Sequence, residues 1–310
     1  MKHLVLGTRG SKMAVRQAEM VKEALETKNK NLHIEIKTIK NIGDIRQGTL
    51  EASIPDKKKW VDQLELALIN REIDFVVHCG KDVPAIMPVS TKLVSVLERG
   101  KPYDCFIGKG KKEKRFKYED LTDGSLIGTA SLRRQSYLKR INPNFITKDI
   151  RGNVDSRFSK LDNGNDFQGI ILSAAGLDRM EYDYGYHIIS DDLMIPAVNQ
   201  GMLTVQYLNK NQILDNLFLS IQDEKTESAF QAERACIIKL EGNCHSAIGC
   251  YARFIDSKLI LKAEVLNKQT YEGIFVEEVM KTASCQELGL SVALKLISLG
   301  ARELLNCENN

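Results

Sequence analysis

No apolar run in this 310-residue chain approaches the roughly 18 residues that a bilayer-spanning helix needs. The first seven residues are too few and too quickly polar to resemble a signal peptide. We therefore expect a cytoplasmic protein that does not associate with a membrane.

The chain also has little excess of positive over negative charge. The 44 lysines and arginines oppose 41 aspartates and glutamates, and the net charge of +3 is too small for a nucleic-acid coat or a basic tail. Dense basic sequence is confined to residues 109–117, which contain a single aromatic residue. This pattern favours a solvated loop over a nucleic-acid site. We expect no nucleic-acid partner.

The seven cysteines form no Cys-x-x-Cys pair and have no histidine at zinc-ligand spacing. Because they are odd in number and scattered, neither a disulfide scaffold nor a structural metal is expected, and most are interpreted as small buried apolar residues. Cys244 differs, since it lies in a predicted loop over residues 240–249, where a thiol is accessible for covalent chemistry. On spacing alone, an ordinary loop thiol is the simpler interpretation.

Strand and helix patterns alternate through the first two hundred residues. Residues 3–8 are predicted as a strand, and Ser11 as the cap of the following helix. The pattern restarts after residue 100, where residues 126–131 echo residues 5–11 by placing Gly-Thr at a strand end and Ser at a helix start. This alternation predicts parallel βαβ units, in which ligands bind beyond the carboxyl ends of the strands.

The predicted fold class is α/β, with two α/β domains around a cleft and a small C-terminal α+β domain. Domain 1 is predicted to comprise residues 1–99 with 199–218, domain 2 residues 103–195, and domain 3 residues 222–310. In domain 3 we expect strands near 249–256, 258–266 and 273–280, then a helix from about Gln286 to Leu305.

Arginines concentrate at the predicted ligand ends of domain 2. They are Arg133, Arg134, Arg151, Arg157 and Arg179. A guanidinium group binds carboxylate bidentately, and the N–H groups at helix N-termini add further donors, so the arrangement suits a ligand with several carboxylates. An adjacent arginine pair alone is equally well explained as solvated helix residues. The convergence of several sites favours a polyanionic ligand.

Asp82 closely follows a predicted apolar strand that begins at Ile73. A carboxylate placed there and kept ionised by Lys81 can stabilise a substrate amine or a developing carbocation, or relay a proton. A turn or helix-capping role is the alternative. His78 lies within the strand, and no serine or cysteine occurs at triad spacing, so a structural role is expected for it.

Eight short motifs occur in order along the chain: Thr8-Arg9-x-Ser11, Val77-His78-x-x-Lys81-Asp82-Val83-Pro84, Gly128-Thr129-x-Ser131-Leu132-Arg133-Arg134-Gln135, Arg151-Gly152-Asn153-Val154-x-x-Arg157, Leu161-Asp162-Asn163-Gly164, Ala174-Ala175-Gly176-Leu177-x-Arg179, Pro196-Ala197-Val198-x-Gln200-Gly201 and Leu240-Glu241-Gly242-x-Cys244. Each motif is weak alone. In this order and spacing they are specific, and they cover nearly the whole chain. Together they resemble the porphobilinogen deaminase (hydroxymethylbilane synthase) family.

The resemblance implies two domains like those of periplasmic solute-binding proteins, with the active site in the cleft between them, and a small third domain. It implies a transferase that joins four porphobilinogen molecules head to tail, each losing ammonia, to give hydroxymethylbilane for porphyrin and haem biosynthesis. It also implies a monomer with a dipyrromethane cofactor, held by a thioether to the cysteine matched by Cys244.

The resemblance assigns roles residue by residue. Asp82 matches the aspartate that assists deamination and stabilises positively charged pyrrole intermediates. No metal is implied. A second set matches positions that hold the acetate and propionate groups of the cofactor, the substrate and the growing chain: Arg9, Ser11, Lys57, Lys81, Thr129, Ser131, Arg133, Arg134, Arg151, Arg157, Arg179 and Gln200.

The chain departs from the family pattern in two places that matter here. Residues 55–60, Pro-Asp-Lys-Lys-Lys-Trp, stand where the family usually has Gly-Gly-Lys-Gly-Leu-Phe, and Asn199 stands where it usually has glycine. The stiffer, more basic loop makes a divergent member with impaired or altered elongation one alternative. A non-catalytic two-lobed binding protein for a polycarboxylate ligand is another, and the presence of both Asp82 and Cys244 counts against it.

We predict that Asp82→Asn, which keeps the side chain's shape and removes its charge, lowers porphobilinogen turnover by about 100-fold or more. The fold and cofactor attachment should be retained, because neither needs this carboxylate. Turnover assays and circular dichroism of the purified variant test the prediction. Near-normal turnover would remove Asp82 from the mechanism.

Overall fold

The computed structural model describes residues 2–39, 57–111, 114–163, 167–182, 185–241, 246–281 and 284–306. The chain folds into two compact units. Unit 1 comprises Met1–Arg99 and Met202–Phe230, and unit 2 comprises Gly100–Gly201 and Gln231–Asn310. The predicted three-domain division stays a prediction. In the described ranges, no helix is both long enough and apolar enough to cross a membrane.

The strands, in chain order, are β1 (Lys2–Arg9), β2 (Leu32–Ile39), β3 (Phe75–Cys79), β4 (Thr91–Val96), β5 (Asp104–Gly108), β6 (Leu126–Gly128), β7 (Ile146–Lys148), β8 (Gly169–Ser173), β9 (His187–Ile188), β10 (Leu203–Leu208), β11 (Ile248–Ile255), β12 (Lys258–Leu266) and β13 (Gly273–Val279). The helices are α1 (Lys12–Lys28), α2 (Lys57–Ile69), α3 (Leu132–Ile141), α4 (Val154–Asp162), α5 (Ala174–Arg179), α6 (Gln212–Leu219), α7 (Glu224–Leu240), α8 (Cys285–Ser298) and α9 (Ala301–Asn306).

Unit 1 is built on a five-stranded sheet in the order β2-β1-β3-β10-β4. β1 runs parallel to β2 and β3, whereas β10 runs antiparallel to β3 and β4. Helix α1 buries the face formed by Ala18, Val21 and Leu25, as the helical spacing predicts. Because β1 and β3 are parallel neighbours, the residues that follow them lie at the same edge of the sheet.

Unit 2 contains a similar sheet in the order β7-β6-β8-β5-β9, in which β6 is parallel to β7 and β8. Strands β5 and β10 lie outside the predicted βαβ units, and both run antiparallel to their neighbours. Asp104 at the start of β5 pairs with Ser173 at the end of β8, and Leu203 at the start of β10 pairs with Cys79 at the end of β3. Both strands therefore start at the carboxyl edge of their sheet and run back across it.

The C-terminal part of unit 2 is a three-stranded antiparallel sheet, β11-β12-β13, whose strands match the predicted ones to within a residue. The single helix expected over 286–305 is two helices, α8 and α9. Gly300 lies between them with φ of +97°, and its N–H donates to the Ile297 carbonyl at 3.0 Å. A left-handed glycine ends a helix in this way, which accounts for the break.

Asn199 is fully buried and adopts φ of +56°. Asparagine tolerates this left-handed conformation better than other residues with a side chain, so it can replace the glycine of the family pattern. Its N–H donates to the carboxylate of Glu233 at 2.5 Å, and the other oxygen of Glu233 accepts from the Ala252 N–H at 2.8 Å. The buried carboxylate thereby links α7 to β11 and to the segment before β10.

We predict that Glu233→Gln lowers the free energy of unfolding by about 1–3 kcal/mol, because one backbone N–H then faces an amide that cannot accept. Urea denaturation of the full chain measures the change. Glu241→Gln is the control, since its surface ion pair with Arg302, 77% exposed on the glutamate side, contributes little. Equal stability of the Glu233→Gln and Glu241→Gln proteins would contradict the prediction.

Candidate active site

The carboxyl edge of the unit 1 sheet carries a strand-to-helix turn that confirms the predicted cap. The Oγ of Ser11 accepts from the Ala14 N–H at 3.3 Å, and the hydroxyl of Thr8, fully buried, donates to the Ala14 carbonyl at 3.1 Å. Arg9 is half-buried at the end of β1. Its guanidinium charge acts on His78 in the neighbouring strand, so the two side chains lie near each other.

Asp82 and Lys81 occupy a single 3-10 turn, Gly80–Asp82, which follows β3 directly. Both residues are half-buried. The charge of Asp82 also acts on His78, so the structure gathers Arg9, His78 and Asp82 at this edge of unit 1. This confirms the predicted position of Asp82 just past an apolar strand.

His78 belongs to a buried hydrogen-bond chain. Its Nε2 lies 2.9 Å from Gln206 Oε1, and Gln206 Nε2 donates to the Glu65 carboxylate at 2.9 Å. A carboxylate only accepts, so Gln206 must direct its amide N–H to Glu65 and its amide oxygen to His78. The imidazole therefore carries its proton on Nε2. Burial lowers the pKa of His78 from 6.5 to about 4, although the Gln206 hydrogen bond and the Asp82 charge oppose the shift.

The corresponding turn of unit 2 has the same construction. Thr129, 1% exposed, follows β6, and Ser131 caps α3 by accepting from the Arg134 N–H. The Ser131 N–H donates to the Thr129 hydroxyl at 3.3 Å, and Gln135 Nε2 donates to the Thr129 carbonyl at 3.0 Å. The echo between the two Gly-Thr segments in the sequence is thus a shared strand-to-helix turn.

A buried ionic cluster lies beside that turn. Arg133 donates to Asp104 Oδ2 at 2.6 Å, and Arg134 Nε donates to Asp104 Oδ1 at 2.8 Å. Gln200 Nε2 donates to Oδ1 of the same carboxylate at 3.2 Å and to the Pro102 carbonyl at 2.7 Å. Asp104 and Gln200 are fully buried, and the two arginines are 5% and 8% exposed. Three of the predicted residues therefore meet at one carboxylate.

The remaining predicted arginines of unit 2 have different surroundings. Arg151 is exposed and pairs with Asp149 at 3.1 Å, and Arg157 donates from Nε to the Gly152 carbonyl at 2.8 Å. Arg179 donates to the Gly201 carbonyl. Arg151 and Arg157 therefore share the turn at Gly152, whereas Arg179 contacts the segment before β10.

Asp104 is the member of the site that the sequence patterns did not identify. It precedes the apolar run 105–107, and in a parallel strand its side chain would lie at the edge opposite the ligand. The antiparallel direction of β5 places it beside Arg133 and Arg134 instead. The sequence alone shows an aspartate immediately before this apolar run, which marks the residue but not the edge of the sheet at which it lies.

Some predicted features fall outside the described residues. Cys244 and the first two residues of the atypical segment 55–60 lie there, and Lys57 begins α2 with a side chain that is not described. Among the described residues, no cluster of histidine, cysteine, aspartate or glutamate could hold a metal ion. A shallow depression of about 870 Å³ opens in unit 1 between α1 and segments 97–98 and 220–223, and it includes none of the predicted site residues.

The fold and these clusters define an α/β protein with several arginines gathered near the carboxyl edge of one sheet. Two family models match the chain: "Porphobilinogen deaminase, dipyromethane cofactor binding domain" over residues 4–216, and "Porphobilinogen deaminase, C-terminal domain" over residues 228–298. The chain belongs to the porphobilinogen deaminase family, whose members are transferases of tetrapyrrole synthesis. The predicted family, enzyme class and dipyrromethane cofactor are confirmed at this level.

Relatives that carry the name porphobilinogen deaminase align along almost the whole chain. The Neurospora crassa protein is 35% identical over 318 residues, covering 98% of this chain and 93% of its own. The Desulforamulus reducens protein is 35% identical over 307 residues, covering 98% of both chains. The Dictyostelium discoideum protein is 33% identical over 311 residues, covering 98% of this chain and 96% of its own.

Solved structures that align with the chain include a probable amino-acid ABC transporter extracellular-binding protein from Bacillus subtilis, with a TM-score of 0.43 and 13% identity over 73% of this chain and 94% of that one. An ancestral cationic amino acid solute binding protein aligns with a TM-score of 0.43 and 13% identity over 70% and 86%. The predicted α/β class with a separate C-terminal domain is confirmed by the three sheets and the C-terminal family match.

We predict that stability falls between pH 6.5 and pH 4 because of His78. Its folded pKa of about 4 lies below the ordinary 6.5, so the unfolded chain takes up the proton first. The neutral imidazole makes its full contribution to the free energy of unfolding above pH 6.5. Acidification removes this contribution, and the loss reaches about 3 kcal/mol at pH 4.

Urea denaturation of wild type and of His78→Gln over this pH range measures the effect. The variant keeps a donor for Gln206 and has no titrating ring, so its stability should decline less steeply with falling pH. All other titratable groups are common to both proteins. Parallel stability curves would show that His78 does not contribute.

Proposed function

We propose that this chain catalyses the head-to-tail condensation of four porphobilinogen molecules, with loss of one ammonia from each, to give hydroxymethylbilane. The observation that carries the proposal is the buried pair Arg133 and Arg134, two guanidinium groups that share the carboxylate of Asp104. Such a pair recognises carboxylates, and each pyrrole unit brings two of them. The family match supports the reaction type.

The donor set of unit 2 fits a dipyrromethane group. Arginine stays protonated throughout the working pH range, so Arg133, Arg134, Arg151, Arg157 and Arg179 can hold the acetate and propionate side chains of linked pyrroles. When bound, the group supplies the pyrrole terminus on which the chain is extended. Thr129 and Ser131 lie at the same carboxyl edge of the sheet, where their hydroxyls add neutral donors, and Gln200 supports the cluster through its hydrogen bond to Asp104.

We assign the reacting carboxylate to Asp82. The C–N bond of the substrate's aminomethyl group breaks with its electron pair going to nitrogen, so ammonia departs and positive charge develops on the pyrrole-methylene unit. The Asp82 carboxylate, half-buried next to Lys81, accepts a hydrogen bond from the protonated aminomethyl group and, as an anion, stabilises the positive charge that remains when ammonia leaves.

Several further assignments belong to this proposal and rest on the resemblance. Cys244 forms the thioether to the cofactor, Arg9, Ser11 and Lys81 bind carboxylates in unit 1, and Lys57 acts from the start of α2. The protein acts as a cytoplasmic monomer. A divergent member with altered elongation is the second candidate, favoured by the atypical sequence at 55–60.

We predict that the denatured wild-type protein carries an added mass equal to two linked pyrrole units and that Cys244→Ser does not. The reason is that the thioether needs the sulfur atom, and a serine hydroxyl is a far weaker nucleophile than a thiolate. Intact-mass spectrometry of both proteins, before and after incubation with porphobilinogen, makes the comparison. Cys250→Ser, which removes a buried thiol, is the control and should keep the added mass.

Finding the added mass on wild type and on Cys250→Ser, but not on Cys244→Ser, would place cofactor assembly at Cys244. Absence of the mass from wild type, persisting after incubation with porphobilinogen, would contradict the proposed activity. The non-catalytic binding protein would then be the better description of the chain.

A further inference from the structure

The buried cluster of unit 2 contains unequal numbers of positive and negative groups. Arg133 and Arg134 both pair with Asp104, and their other acceptors are the backbone carbonyls of Ile195 at 2.6 Å and Ile171 at 2.9 Å. Carbonyls satisfy N–H groups without neutralising charge. Together, these two guanidinium groups and one carboxylate carry a formal charge of +1, and the arginines are less than a tenth exposed.

A buried charge is costly unless another charge compensates it. One further anion balances the cluster, and a single carboxylate supplies it with the planar, bidentate geometry that guanidinium groups prefer. A divalent anion such as sulfate would overcompensate a cluster of +1. The same divalent anion would balance a cluster of +2, which is what the two arginines would form without the carboxylate of Asp104.

We propose that Asp104 is a positioning and specificity-determining residue that fixes the guanidinium planes of Arg133 and Arg134 and limits their joint charge to +1. The cluster thereby accepts one carboxylate and discriminates against divalent anions. The identity of that carboxylate as one from a pyrrole chain rests on the proposed function.

The geometry explains how Asp104 both fixes the two guanidinium planes and limits their joint charge. Oδ2 of Asp104 accepts from Arg133 and Oδ1 from Arg134, so each oxygen orients a different guanidinium group. Gln200 donates to Oδ1 as well, and this bond restricts rotation of the carboxylate. Asp104 itself is fully buried at the start of β5, so it acts on a ligand through the two arginines.

The test is anion binding by the apo-protein, prepared as Cys244→Ser so that no cofactor is attached. Thermal unfolding is followed against sulfate and against acetate at constant ionic strength, in this background and with Asp104→Asn added. We expect Asp104→Asn to bind sulfate about tenfold more tightly than the background, because an isosteric amide raises the cluster charge from +1 to +2. Glu233→Gln, which removes a buried carboxylate that accepts from backbone N–H groups, should leave sulfate affinity unchanged.

An Asp104→Asn protein that folds and binds sulfate no more tightly than the background overturns the charge-limiting role. If Asp104→Asn does not fold, the double variant Asp104→Asn with Arg134→Gln restores the charge to +1. That protein should recover a cooperative thermal unfolding transition, and its failure to fold overturns the charge argument.

Asp104→Glu separates the two roles because it keeps the charge and displaces the carboxylate by one methylene. In the Cys244→Ser background, we expect this variant to bind sulfate as the background does. In the protein that retains Cys244 and its cofactor, we expect turnover at least about tenfold lower than wild type, since the guanidinium groups are misplaced. Wild-type turnover in Asp104→Glu overturns the positioning role. Absence of turnover in wild type itself would refute the proposed function and leave the sulfate comparison valid.

Discussion

Two guanidinium groups can be held almost out of water in unit 2 because a carboxylate lies between them. Arg133 and Arg134 are adjacent in sequence on the first turn of α3, and burying both without Asp104 would leave two uncompensated charges. Asp104 reaches them because β5 starts at the carboxyl edge of the sheet and runs back antiparallel to β8. The chemistry of this cluster thus depends on the direction of one strand.

Unit 1 uses the same arrangement with different chemistry. There β10 is the strand that starts at the carboxyl edge and runs antiparallel to β3, and it carries Gln206 alongside His78. Gln206 fixes the imidazole in one tautomer, and burial keeps that ring neutral near Asp82. In both sheets, an antiparallel strand inserted among parallel ones supplies the polar group that sets the state of a residue at the site.

Features that depend on neighbouring residues were predictable from the sequence, whereas features that depend on strand direction were not. Ser11 and Ser131 cap their helices because capping is decided within four residues, and helical spacing located the buried face of α1 for the same reason. The break at Gly300 is also local, and a glycine signal for it was present. The role of Asp104 could not be predicted from the sequence, because pairing across the sheet decides at which edge β5 starts.

The arginines of unit 2 differ in how firmly they are held, and this difference suits the growing ligand of the proposed function. Arg133 and Arg134 are fixed by Asp104 and backbone carbonyls, so their geometry is set before a ligand arrives. Arg151, whose side chain is 80% exposed, pairs with Asp149 in solvent and can exchange that partner at little cost. A chain that gains two carboxylates with each pyrrole needs fixed cations for the units that stay in place. It also needs exchangeable cations for the units that are added, and a set of equally buried arginines would not supply both.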